Sequence, residues 1–221
     1  VGAWLIDALR PLGRSVSALV RRPRLLLFLP AALSVTIALS IVWDPIGRWL
    51  PPMIAVFPST VVLQLFRVAL SDAASQALDG GSPRLFASVG RASRRVAAIA
   101  GYTLVGVVVM AVLQYFLLDE DGLAGAVGSV AWRVWSVGTF LAVPVLGHET
   151  HGGVGALRRS FGLFARHPGV IFVGWATQYA IMLLLFRVLR WSASPWLILP
   201  VLFIGTLLTV HATAVYRQQI R

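Results

Sequence analysis

The chain of 221 residues is 58% hydrophobic and only 12% charged, with a mean hydropathy of +0.82 and a formal net charge of +11. A soluble domain carries about a quarter charged residues, so this composition excludes the soluble globular class and reads as an integral membrane protein. All nineteen basic residues are arginine and they cluster between apolar runs, which assigns the charge to membrane loops and argues against nucleic-acid binding. Lacking cysteine, the chain cannot form disulfides, thiolate metal sites or a cysteine nucleophile.

Residues 3–22 set Leu12, Val16 and Leu19 on one helical face and Arg14 and Arg21 roughly opposite, the pattern of a helix lying in the membrane interface. Pro11 should limit how far that helix extends back. Residues 25–43 form a charge-free run of about the 20 residues needed to cross about 30 Å of hydrocarbon. It is too long and too uncharged for the core of a cleaved signal peptide and is expected to be a retained first span. Asp44, Pro45, Gly47, Pro51 and Pro52 break it, and residues 53–71 give span two, with Pro58 inside and Arg67 near its far end. Asp79, Gly80 and Gly81 form a turn, after which Ser82 is expected to cap a helix with Pro83 at its first position. That second interfacial helix sets Leu85, Val89 and Ala92 against Arg84, Arg91, Arg94 and Arg95. Span three covers 96–118 and ends at an acidic turn, 119–122, and span four covers about 127–146. After a polar knot of His148, Glu149 and His151, a third interfacial helix repeats Val154, Leu157, Phe161 and Phe164, with Arg159 and Arg166 opposite. Spans five and six fall at 169–186 and 196–216, separated by Arg187, Arg190 and Trp191.

The architecture expected is therefore an all-α polytopic bundle of six spans and three cytoplasmic interfacial helices in a single domain. Arginines gather on one side of it: Arg10, Arg14, Arg21, Arg22, Arg24, the four of the second interfacial helix, Arg158, Arg159, Arg166, Arg217 and Arg221. The other side carries Arg48, Arg187, Arg190 and the acidic turn, so both termini are expected in the cytoplasm. Basic helices before spans one, three and five admit a three-fold repeat of interfacial helix plus hairpin over 3–71, 82–146 and 153–216. They equally fit the arginines that any such topology requires.

Ionisable groups inside apolar spans are the usual pointers to function in membrane proteins. Arg67, placed about one turn from the end of span two, is expected to reach lipid headgroups. Arg133, between Trp132 and Trp135, reads as part of an outer aromatic belt, and His211 as a polar residue satisfied by a neighbouring helix. Pro144 should kink span four by colliding with the carbonyl of Phe140, leaving the Thr139 hydroxyl, water or span six to satisfy that oxygen. His148, Glu149 and His151 lack the spacing of a zinc signature. Their expected role is to cap the next helix, with Glu149 pairing with Arg158 or Arg159. Arg84, Arg91, Arg94 and Arg95 are expected to contact anionic headgroups, because acids on that side are few. Gln114, Gln178, Tyr179, Thr206, Thr209 and Thr213 are the main uncharged polar groups within spans, and the three threonines share one face of span six. No phosphate loop, dinucleotide fingerprint or nucleophile elbow occurs, so neither an enzyme nor a cofactor is expected.

Trp135, Thr139-Phe140, Val143-Pro144-Val145, Glu149 and Ala156-Leu157-Arg158-Arg159-Ser160 resemble a family of uncharacterised prokaryotic membrane proteins, the domain of unknown function 6159. The similarity extends back through residues 77–81 and the arginine helix, to about Leu25. After Phe164 the chain departs from it, reading Ala-Arg-His-Pro where a Trp-Gly pair is the family's pattern. The resemblance implies a multi-pass protein of a prokaryotic cell membrane and brings no activity. The residues leave two functional readings. One is a non-enzymatic scaffold or accessory subunit contacting lipid and a membrane protein partner or second copy. The other is a small permease with a path between spans two, four and six.

Overall fold

The computed structural model describes residues 2–47, 52–117, 122–191 and 198–220. Arg48, Pro51, the acids at 119–121, Trp196 and Arg221 lie outside the described residues. The described chain is helical without strands: α1 (Gly2–Arg21), a 3-10 turn (Pro23–Leu27), α2 (Phe28–Gly47), α3 (Pro52–Leu78), α4 (Leu85–Ser93), α5 (Val96–Leu117), α6 (Leu123–Gly138), α7 (Ala142–His148), α8 (Gly153–Arg166), α9 (Pro168–Trp191) and α10 (Ile198–Ile220). Five segments, Val56–Leu78, Val96–Gln114, Leu123–His148, Pro168–Leu185 and Pro200–Ile220, are long and apolar enough to cross a membrane alone. The pair Leu9–Arg21 and Pro23–Leu39, bent by 90°, passes the same test together, giving up to six spans. The bend has a local cause. The ring of Pro23 disfavours helical backbone at the residue before it, and Arg22 leaves the helical region at φ −133, ψ 66.

Side-chain bonds gather the ends of the helices into one layer, the basic end. Arg22 donates to Gly80 O, Ser71 pairs with Thr213 Oγ1 at 2.9 Å, and Arg217 holds Ser75 and Asp79. The core lies here, with Leu70, Leu141, Val145, Leu146 and Val210 fully buried.

Two of the three interfacial helices turn inward a face that overlaps the one hydropathy predicts but is shifted toward their small residues. α1 runs through Pro11 instead of starting after it, and Ser15 Oγ donates to Pro11 O at 2.7 Å. It buries Ser15, Ala18 and Leu19 toward α9 and α10, while Val16 is 42% exposed. α8 buries Gly153, Ala156, Leu157, Ser160 and Leu163 against α5 and α7, leaving Val154 67% exposed. In lipid, apolar bulk gains nothing by leaving the hydrocarbon, so small residues, which admit close backbone approach, form the helix contacts. At Gly153 this approach is so close that a Cβ would collide with the backbone of Ala98 and Tyr102 on α5. α4 keeps the expected face, with Leu85, Val89 and Ala92 packed on the core.

Two ends move. α3 does not stop at Ser71 but continues to Leu78. α4 begins at Leu85 without a cap from Ser82. The extra turns of α3 explain the second change, because they bring Gln76 to the start of α4, where its Oε1 accepts from Arg84 N and its Nε2 donates to Ser88 Oγ.

Span four breaks between α6 and α7, just before Pro144, and both helices stay within one apolar stretch. Pro144 has no donor to offer toward Phe140, and the chain answers with a tight turn in which Ala142 N donates to Thr139 O. Thr139 Oγ1 bonds its own helix at Trp135 O. The side chain that enters the break comes from α8 and not from span six: Ser160 Oγ donates to Gly138 O at 2.6 Å and accepts from Leu141 N at 3.2 Å.

Candidate functional site

At the basic end Glu149 is the hub of a clasp and not a helix cap. α8 starts at Gly153, after an N-cap, Gly152, that makes no side-chain cap bond. Glu149 Oε1 accepts from Tyr216 OH at 2.8 Å and from Arg159 Nε at 3.2 Å, and its Oε2 lies 2.8 Å from His151 Nε2. Burial would raise the pKa of Glu149, but the Tyr216 hydroxyl, Arg159 and His151 together hold it below the ordinary carboxylate value. His148 stacks on the Tyr216 ring, with centroids 5.7 Å apart. Arg95 donates to the carbonyls of Leu146 and Glu149, 2.6 Å each, closing the end of α7. Arg91 pairs with Asp72, which also accepts from Ser88; its guanidinium is held even more firmly protonated by that carboxylate. Arg91 and Arg95 thus serve protein groups, against the expectation that the whole α4 cluster faces headgroups. Arg84 and Arg94 stay exposed. Arg158 is exposed as well, and of the two candidate partners Arg159 takes Glu149. Among the described residues no three His, Asp or Glu converge as a metal site.

On the other side of the core lies a cavity of about 790 Å³ walled by α3, α5, α6 and α9. Thr60, Gln64 and Arg67 line it from α3, at the i, i+4, i+7 spacing that puts them on one face. Tyr102, Thr103, Gly106 and Met110 line it from α5, Trp132, Trp135 and Ser136 from α6, and Trp175, Gln178, Tyr179 and Met182 from α9. Val56 and Leu183 mark the mouth, and Phe140 and Val143 the floor, beneath which Leu141 and Val145 are fully buried. From Val56 to Arg67 the helical rise gives a depth of about 16 Å. Trp175 Nε1 donates to Ser136 Oγ at 3.1 Å, tying α9 to α6 across the wall, and Trp175 stacks on Tyr179.

The polar groups of this cavity divide in two. Thr60, Thr103 and Thr139 spend their hydroxyls on carbonyls of their own helices. Among the described residues Gln178 Oε1 is buried without a partner, and Arg67 has only a long contact from Nη1 to Gln64 Oε1, 3.5 Å. No carboxylate pairs with Arg67 among the described residues; the ion pairs sit at the basic end. Arg67 is also not one turn from a helix end. It stands at the centre of the stretch Val56–Leu78, with about 16 Å of α3 still to run.

A family described as a family of unknown function (DUF6159) matches residues 54–216. The chain belongs to it. The match holds every wall of the cavity and the whole clasp, and it starts within α3, so α1 and α2 lie before it, although the likeness was expected to reach back to Leu25. No curated protein and no solved structure matches this DUF6159 chain.

Of the other sequence candidates, Arg133 is exposed on α6 and is absent from the cavity lining. His211 is buried, with Nε2 3.3 Å from Gly174 O on α9 and Nδ1 without a hydrogen-bond partner among the described residues. Thr206, Thr209 and Thr213 all bond carbonyls one turn back in α10. α10 therefore contributes no wall, and the polar space lies between spans two, three, four and five instead of two, four and six. Asp72 and Gln64 were not among the sequence candidates, and Ser160 entered only through the family resemblance. The stripe of Thr60, Gln64 and Arg67 was the available signal for the glutamine.

Proposed function

We propose that this DUF6159 protein is a non-enzymatic membrane protein, a lipid-binding scaffold or accessory subunit, whose working site is the cavity between α3, α5, α6 and α9. The observation that carries this reading is the shape of that space: large, aromatic, provided with a few unspent polar groups, and blind at Phe140 and Val143. Such a combination is what ligand sites have in common. The exposed arginines Arg14, Arg84, Arg94, Arg158 and Arg166 supply the surface for anionic headgroups, with both termini in the cytoplasm. A partner membrane protein or a second copy would meet the remaining apolar flanks.

The permease reading has one observation in its favour. The break between α6 and α7 underlies the floor, so a movement there would open the blind end. Reconstitution separates the two. A binding protein retains lipid through delipidating detergent washes, seen by native mass spectrometry, and leaves vesicles no leakier to solutes than protein-free ones. Bare protein, or flux that disappears on filling the cavity, would contradict the proposal.

A further inference from the structure

Resting on the reading of this cavity as a binding site, we infer that its ligand is an amphiphile with an anionic head, carboxylate or phosphate, seated on Arg67 with its chain along the aromatic wall. An arginine that lacks a carboxylate partner within an apolar span is costly unless something compensates it. Among the described residues Arg67 makes only a long contact to Gln64 Oε1. The guanidinium is a planar fork with several donors, suited to two oxygens of one head. Gln178, whose buried oxygen has no partner among the described residues, lines the same cavity and can accept from a hydroxyl on the ligand. The lining is mainly apolar, with Trp135, Trp175, Tyr102 and aliphatic chains beside a few uncharged polar groups such as Thr60 and Gln114, surfaces for a hydrocarbon tail and a poor home for a hydrated inorganic ion. The depth of about 16 Å admits such a tail lengthwise.

The test uses the intact protein in a neutral detergent and the fluorescence of the cavity tryptophans. A terminally brominated medium-chain fatty acid is titrated against the brominated alcohol of the same length, with inorganic phosphate as competitor. The acid should quench saturably and bind about tenfold more tightly than the alcohol. Arg67→Gln should reduce the acid to the level of the alcohol, and Arg67→Lys should retain part of the preference. Trp175→Phe should lower the quenched fraction, and an unchanged melting temperature shows that each variant is folded. Equal binding of acid and alcohol, untouched by Arg67→Gln, would overturn the anionic head and leave the cavity reading standing. Displacement of the acid by inorganic phosphate alone, at matching concentration, would overturn the amphiphile in favour of a free anion. Saturable quenching by neither probe would overturn the cavity reading itself.

Discussion

Replacing Glu149 with alanine removes the acceptor that joins α7, α8 and α10. Tyr216 is 1% exposed, so its hydroxyl loses its partner where water does not reach, at about 1–3 kcal/mol. The Arg159 contact, with that side chain 34% exposed, adds at most about 1 kcal/mol, and His151, more exposed still, adds little. The total of about 1–4 kcal/mol corresponds to a melting temperature lower by roughly 2–16 °C in a chain of this size. Unfolding in mild detergent, followed by tryptophan fluorescence, measures it. Tyr216→Phe should cost less alone, and the double variant should cost less than the sum, because both remove one shared bond. The sign with pH follows from the depressed pKa of Glu149. Its contribution is fully present above the unfolded carboxylate pKa and is lost as pH falls through the lower folded value. Acidification below the ordinary glutamate range should therefore destabilise the wild type more than Glu149→Gln. A melting temperature for Glu149→Ala within about 1 °C of wild type would refute the clasp.

Gly153→Ala should cost about 3 kcal/mol or more, since its Cβ meets the α5 backbone, whereas Gly138→Ala, which meets only the movable ring of Phe161, should cost less; thermal unfolding ranks the two. Ser160→Ala leaves Gly138 O and Leu141 N at the α6–α7 break unpaired and should lower stability by about 1–3 kcal/mol. Pro144→Ala, which restores a donor beside that break, should cost less than Ser160→Ala in the same assay. Single cysteines at Arg94 and Ile220 of this cysteine-free chain should resist an impermeant maleimide in intact cells while one at Asp121 reacts. Labelling of Arg94 or Ile220 from outside would reverse the orientation.

What could be read from the residues was what short-range pattern controls. Span three begins at Val96 as the run of apolar residues requires, the Asp79-Gly80-Gly81 turn uses Gly80 at φ 82, and α4 turns Leu85, Val89 and Ala92 inward. Periodicity was only partly right for α1 and α8: Leu19, Leu157 and Phe164 pack inward as expected, but Val16 and Val154 are exposed while the small residues Ser15, Ala18, Gly153 and Ala156 make close contacts. Arg91 was misassigned because its partner, Asp72, became available only when α3 proved two turns longer. Arg67 looked like a residue near a helix end. The walls that define its surroundings come from α5, α6 and α9, which lie far from it in sequence and which no local spacing connects.

Gly106 lines the cavity, and a Cβ there would meet nothing within 4 Å, so Gly106→Phe is the substitution chosen to fill the space. Native mass spectrometry of the wild type purified in mild detergent should find a retained amphiphile that Gly106→Phe has lost, at an unchanged melting temperature. The same bound mass on both proteins, or none on the wild type, would contradict the assignment of this cavity as the working site.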